Sequence, residues 1–188
     1  MCYNNRLNIF LRGNLNEKTN FITKQAMIAA IYAVVSLALA PISFGTVQAR
    51  VSEALTMLPV FGTTNIIGIS VGCLITNIVG VFSGTNILGW MDVIFGTLAT
   101  LSAGFLTYTF RNIKFNGLPI LSALPPIILN ALVVGMELCV MISGGFNLVV
   151  FVAQAVSVAI GEAISVALGL VLVKVINTNP HLKDIFAE

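Results

Sequence analysis

Long apolar runs separated by short polar breaks organise this chain. Five of them, at about residues 21 to 39, 65 to 82, 90 to 110, 118 to 143 and 147 to 176, are near or beyond the roughly 20 residues that cross a bilayer as a helix. A shorter apolar segment starts near Gln48 and is interrupted by Pro59 and Gly62. Short, Pro/Gly-interrupted segments occur at membrane depth where protein covers them or where they line a cavity. Together the runs predict an all-α bundle of six transmembrane helices over residues 21 to 177. Residues 1 to 20 read as a polar tail, with an interfacial helix as the alternative, and residues 178 to 188 as a second polar tail. Thr19 or Asn20 is placed to cap the first span. Pro125-Pro126 predicts a kink inside the fifth.

Composition supports the same reading. Only 9% of the 188 residues are charged and 57% are apolar, with a mean hydropathy of +1.00. A soluble domain carries about a quarter charged residues. So few charges cannot cover a water-soluble surface, and the chain reads as an integral membrane protein. The first apolar run lacks a small-residue cleavage site after it and is not expected to be a removed signal peptide.

Several chemistries are not expected. His181 is the single histidine, and the cysteines show no paired spacing, so neither a metal site nor a disulfide frame is predicted. No G-x-x-x-x-G-K-[ST], G-x-S-x-G or H-E-x-x-H pattern occurs. The chain is therefore expected not to be an enzyme, to bind no cofactor and to have no nucleic-acid partner.

Charge placement orients the bundle. Arg6, Arg12, Lys18 and Lys24 precede the first run, Arg111 and Lys114 share one loop, and Lys174 and Lys183 lie near the end. Positive residues in short loops stay cytoplasmic. Six spans then put both termini and the Arg111 loop inside. In this orientation Arg50, Glu53, Asn77, Asp92, Glu137 and Gln154 fall in the outer half of the membrane, with Asn130 and Glu162 deeper. The inner half is almost wholly apolar. A charge inside a bilayer is costly and marks a protein interior or wet cavity. The pattern predicts a pocket that opens outward and is closed below. One Arg faces four carboxylates there, which suits a ligand rich in N–H donors or carrying a cation.

Each residue also has a plainer reading. Arg50 and Glu53 can form an i,i+3 ion pair that lowers the cost of burial. Asp92 can be a helix N-terminal charge favoured by the macrodipole. Asn77, Asn130 and Gln154 can be interhelical hydrogen-bond links. Trp90, Phe44, Phe82 and Phe146 can form an interfacial belt or stack on a flat ring. Glu137 and Glu162 have no cation on their own helix within two turns and need partners elsewhere. Ala26, Ala29, Ala30 and Ala33 bring small residues to the first helix, for packing within the bundle or for docking a membrane partner.

The run Ile42-Ser-Phe-Gly-Thr-Val-Gln-Ala-Arg-Val-Ser-Glu-Ala-Leu-Thr-Met-Leu-Pro59 resembles a segment typical of the queuosine-precursor transporter (QueT) family. Trp90-Met-Asp-Val-Ile-Phe-Gly-Thr-Leu-Ala-Thr100 is similar to a second one. Where the family often has Pro after the Gly of the first run, this chain has Thr46. The resemblance implies the substrate-binding (S) component of an energy-coupling factor (ECF) importer in a prokaryotic plasma membrane. Such a component has six helices with both termini inside, and works with a membrane scaffold subunit and two cytoplasmic ATPases that bind ATP and magnesium. It implies that Ala26/Ala30 and Ala29/Ala33 contact the scaffold. It implies a 7-deazaguanine substrate, with Glu53 or Glu137 on the donor edge and Asp92 or the other Glu on an aminomethyl group. Arg50, Asn77 or Gln154 would meet the ring carbonyl, Trp90 or Phe44 the ring face, and Gln48, Asn130 and Glu162 complete the candidate set. The runner-up is a stand-alone proton-coupled transporter or channel with Glu137 and Glu162 as a relay.

Overall fold

The computed structural model describes residues 2–44 and 50–187, with the backbone course alone for residues 2–16. Helices account for the regular structure, and no strand occurs among the described residues beyond one isolated bridge, Phe115 with Leu118. Helix α1 spans Cys2–Ala38 and α2 is a single turn, Ala40–Ser43. A 3₁₀ helix follows at Val51–Phe61. Then come α3 (Asn65–Phe82), α4 (Trp90–Phe110), a 3₁₀ turn (Ile120–Ala123) running into α5 (Leu124–Ser143), α6 (Leu148–Thr178) and α7 (Pro180–Phe186).

Five helical segments are long and apolar enough to cross a membrane: Glu17–Ala38, Asn65–Phe82, Trp90–Phe110, Ile120–Ser143 and Leu148–Thr178. Their outward faces are greasy. Val34 is 66% exposed, Ile94 57% and Ile164 59%, which in water would be a severe liability but in lipid is the expected coat. Buried positions on the same helices are small or polar. Ser70, Cys73, Asn77 and Gly80 of α3 are buried, as are Asp92, Gly96, Ala99 and Ala103 of α4. The inside-out distribution identifies a multi-pass membrane protein.

The segment predicted as a short second span is not an α-helix. It is an 11-residue 3₁₀ helix threaded through the bundle, with Ser52, Glu53, Thr56, Met57, Leu58 and Pro59 buried. At about 2.0 Å per residue it extends roughly 22 Å, against about 16 Å for the same residues as an α-helix. Its neighbours allow this extension. Helix α6 comes so close that a Cβ on Gly169 would lie 2.5 Å from the Ala54 carbonyl oxygen. Asn65 Nδ2 donates to the Leu58 carbonyl oxygen at 3.1 Å, and Thr56 Oγ1 to that of Glu53 at 2.6 Å. Backbone acceptors left by the poorer 3₁₀ geometry thus find side-chain donors.

The 3₁₀ helix joins the two ends of the bundle. At its far end Leu58 packs with Ile28, Ile69 and Ile176, against Leu182 and Phe186 of α7. At its start Arg50 meets the first turn of α4, where Phe44 and Asn86 lie against Gly80, near the end of α3. Small residues let the helices close on one another: a Cβ on Gly72 would be 3.0 Å from the Ala29 backbone, and one on Gly135 2.8 Å from that of Ala155.

Three further expectations are corrected. Residues 2 to 20 continue α1 instead of forming a separate tail; the chain has no proline before Pro41 to break it, and Thr19 and Asn20 lie within the helix and not at its start. Pro125 and Pro126 do not kink the fifth span. They sit in the first turn of α5, where a missing N–H costs nothing because those donors have no intrahelical partner. The C-terminal segment folds back as α7, capped by Asn179, whose side chain accepts from the His181 and Leu182 N–H groups. Its Phe186 carbonyl oxygen accepts from Asn65 Nδ2 at 3.0 Å.

Candidate functional site

The candidate site forms where α1, the 3₁₀ helix, α3 and α4 meet. Arg50 is the residue just before the 3₁₀ helix, in extended backbone conformation. Its side chain therefore leaves the helix axis before the regular stacking begins. Its guanidinium Nη2 lies 3.0 Å from Asp92 Oδ2, with Arg50 6% and Asp92 0% exposed. The same Asp92 oxygen accepts from Asn86 Nδ2 at 2.9 Å. Asn77 Nδ2 donates to the Asp92 backbone carbonyl oxygen at 2.9 Å. On its other side the guanidinium approaches Cys73 Sγ at 3.9 Å and lies 5.1 Å from the Phe44 ring centroid.

Asp92 reaches this position because α4 is thin at its next turn. A Cβ on Gly96 would fall 1.9 Å from Asp92 Oδ1, so the carboxylate folds over the space that glycine leaves.

The plainer reading of Arg50 and Glu53, an i,i+3 ion pair, is not what forms; Arg50 pairs with Asp92 instead. In the 3₁₀ turn Glu53 points to α1, where it accepts a short hydrogen bond from the Tyr32 hydroxyl. Ser36 and Ser52 make a second short contact between the same two elements. One cation is thus hydrogen-bonded by α4, and the acid three residues away by α1.

Glu137 of α5 and Glu162 of α6 complete the ring. Glu137 is within electrostatic range of Asp92 and Arg50, and Glu162 of Glu53 and Arg50. Asn130 lies beside the Glu162 carboxylate. Four carboxylates from four elements thus lie within electrostatic range of a single guanidinium, and three of them are not ion-paired among the described residues.

The remaining candidates divide. Asn77 and Asn130 are buried and belong to this network. Gln154 is half-buried on α6 with its Oε1 enclosed. Phe44 is buried against Arg50. Trp90 is 57% exposed and packs edge-on against Phe82 on the outside of the bundle, centroids 5.9 Å apart. Its position is that of a boundary aromatic. Phe146 is likewise exposed, beside Phe151. Gln48, with Thr46, lies outside the described residues.

The QueT transporter family model matches residues 22–178. The chain belongs to the QueT transporter family. The queuosine precursor transporter QueT of Lactococcus lactis subsp. cremoris (strain MG1363) is 37% identical over 87 residues, covering 45% of this chain and 47% of that protein. The match thus spans about half the length of the curated relative. No solved structure matches the chain.

In this QueT family member the network is short of donors. Glu53 Oε2, Asp92 Oδ1, both Glu137 carboxylate oxygens, Glu162 Oε2, Asn77 Oδ1 and Gln154 Oε1 are buried with no hydrogen-bond partner among the described residues. All seven are acceptors. Buried polar groups are nearly always satisfied, so a concentration of one kind points to a complement of the other kind.

Sequence reasoning missed Tyr32, Asn86, Cys73 and Thr100. Thr100 Oγ1 lies 3.1 Å from the Gly96 carbonyl oxygen and 3.4 Å from Cys73 Sγ, with one proton to give to either. Tyr32 was legible as a tyrosine inside an apolar helix, where a buried hydroxyl needs a partner. Asn86 sits in a Gly/Asn turn that looks ordinary in sequence.

The alanines on α1 split between two faces. Ala29 and Ala33 are buried, with Ala29 against Gly72 of α3. Ala26 and Ala30 are exposed, next to the exposed Ile22, Met27 and Val34.

Proposed function

We propose that this chain is the substrate-capturing S component of an ECF importer, and that it binds a 7-deazaguanine queuosine precursor. The observation that carries the substrate reading is the set of acceptor oxygens near Arg50 that have no hydrogen-bond partner among the described residues. A guanine-like edge presents two adjacent N–H donors, which one carboxylate accepts as a bidentate pair. Glu137, with both oxygens buried and without a partner among the described residues, has the capacity for that edge, and Glu53 has Oε2 besides the oxygen that Tyr32 holds. An aminomethyl cation on the ligand suits Glu162 or the free oxygen of Asp92. Arg50 supplies a donor for the ring carbonyl, and Phe44 an aromatic face. The relative's name, a queuosine precursor transporter, agrees with this chemistry.

Both termini lie on the cytoplasmic side in this reading, with the 3₁₀ helix as a sixth crossing, and Arg50 opens outward. The positive residues at the opposite end of the bundle support it. ATP hydrolysis belongs to partner ATPases, docked through a membrane scaffold on the exposed Ala26/Ala30 face.

The test is thermal stabilisation of the purified chain by deazapurines, guanine and unrelated vitamins, repeated for Glu53→Gln and Glu137→Gln. Deazapurines stabilise the unaltered chain, and each substitution weakens that stabilisation at least about tenfold, the loss of one charge-assisted bond. Unchanged affinity in both variants defeats the site. Recovery of a scaffold and ATPases on co-purification from the native membrane distinguishes this role from a stand-alone proton-coupled transporter, which needs neither.

A further inference from the structure

At the end of the bundle opposite Arg50, a cavity of about 210 Å³ opens among the ends of three membrane spans and the 3₁₀ helix. Arg111 follows the last residue of α4, Pro119 precedes the fifth span, Val173 and Asn177 lie in the last turns of α6, and Phe61 ends the 3₁₀ helix. Three cationic side chains line it: Arg111, Lys114 and Lys183. No carboxylate lines it among the described residues, and none of the three cations makes an ion pair there. Arg111 is held in place, with Nη1 donating to the Tyr108 carbonyl oxygen at 2.9 Å and the guanidinium 3.5 Å over the Tyr108 ring. Its remaining N–H groups have no hydrogen-bond partner to compete for them among the described residues. Beside the cavity, Ile113, Phe115 and Ile120 are 54%, 68% and 43% exposed.

We propose that this cavity binds the phosphate of an anionic phospholipid headgroup. Its depth is right, because the lining residues sit where membrane spans end and headgroups begin. Its charge is right, because three cations with no ion pair among the described residues converge on one cavity, and basic pockets between spans take anionic headgroups. The apolar side chains next to it give the acyl chains a surface to follow. A soluble phosphate would use the cations but not those side chains. The site is separate from the carboxylate ring and independent of which substrate that ring holds.

The experiment is native mass spectrometry of the full chain released from micelles containing equal phosphatidylglycerol and phosphatidylcholine. The unaltered protein retains phosphatidylglycerol in preference. Substitution by Gln at Arg111, Lys114 and Lys183 weakens retention about fivefold for each cation removed, whereas Lys174→Gln, outside the cavity, leaves it unchanged. Equal retention of the two lipids by the unaltered protein overturns the proposal even if the triple variant does not fold. So does a folded triple variant that keeps its preference. Displacement of the lipid by inorganic phosphate at comparable concentration would assign the cavity to a soluble anion and overturn the lipid reading.

Discussion

Arg50 and Asp92, 42 positions apart in sequence, meet at 3.0 Å in the interior of the bundle. This contact ties the start of the 3₁₀ helix to the first turn of α4. It also decides how the other acids are used, since the guanidinium next to Glu53 along its own segment is committed to another helix.

Breaking that pair from one side leaves an uncompensated buried charge, which costs about 3–5 kcal/mol. Asp92→Asn and Arg50→Met are each expected to lower the thermal unfolding midpoint of the purified protein sharply. The double variant, with neither charge, recovers a large part of the loss. Additive losses in this double-mutant cycle would show that the two side chains act separately.

Gly96→Ala puts a methyl group where Asp92 Oδ1 lies, 1.9 Å from the new carbon. The carboxylate must rotate off Arg50 and Asn86, or α4 must shift, at about 1–3 kcal/mol. Gly145→Ala meets nothing within 4 Å and serves as the comparison. Melting curves in detergent that separate these two variants bear out the packing; coincident curves do not.

Tyr32→Phe removes the donor to Glu53 Oε1, beside an Oε2 that already has no partner among the described residues. The expected cost is about 1–3 kcal/mol in stability. A carboxylate released from α1 is also free to turn toward a ligand, so deazapurine affinity should change while Trp90→Phe leaves it alone. Isothermal titration of both variants measures this.

The two faces of α1 should respond differently to bulk. Ala29→Trp collides with the α3 backbone at Gly72 and is expected to abolish folding, read as loss of the monodisperse peak on gel filtration. Ala26→Trp and Ala30→Trp point outward and leave folding and ligand binding intact, while scaffold recovery on co-purification drops. A normal scaffold yield from both outward variants would remove this face from the interface.

Much of the architecture is legible in the chain. Spans at 65 to 82 and 90 to 110 follow the apolar runs to the residue, because hydrophobic length in a bilayer leaves few alternatives. The stripe Asp92, Gly96, Ala99 and Ala103 is buried as its helical spacing implies. Pro125-Pro126 misled because a proline pair reads as a kink or a helix start depending on where the first turn lies. The segment after Gln48 misled because a short apolar run with a Pro/Gly break does not tell an α-helix from the longer-rising 3₁₀ helix that forms.

By itself the sequence determined that this is a multi-span membrane protein with acids and amides on the inner faces of its helices. Burying an ionic side chain in a bilayer is too costly to leave unmatched, so the residues alone announce that partners exist. Which partner each one takes was decided by the tertiary structure. Pairing Arg50 with Asp92 and Glu53 with Tyr32 depends on the rise of a 3₁₀ helix, on a missing Cβ at Gly96 and on how closely α1 approaches. Those are distances between segments far apart in the chain, and residue spacing along one helix does not encode them.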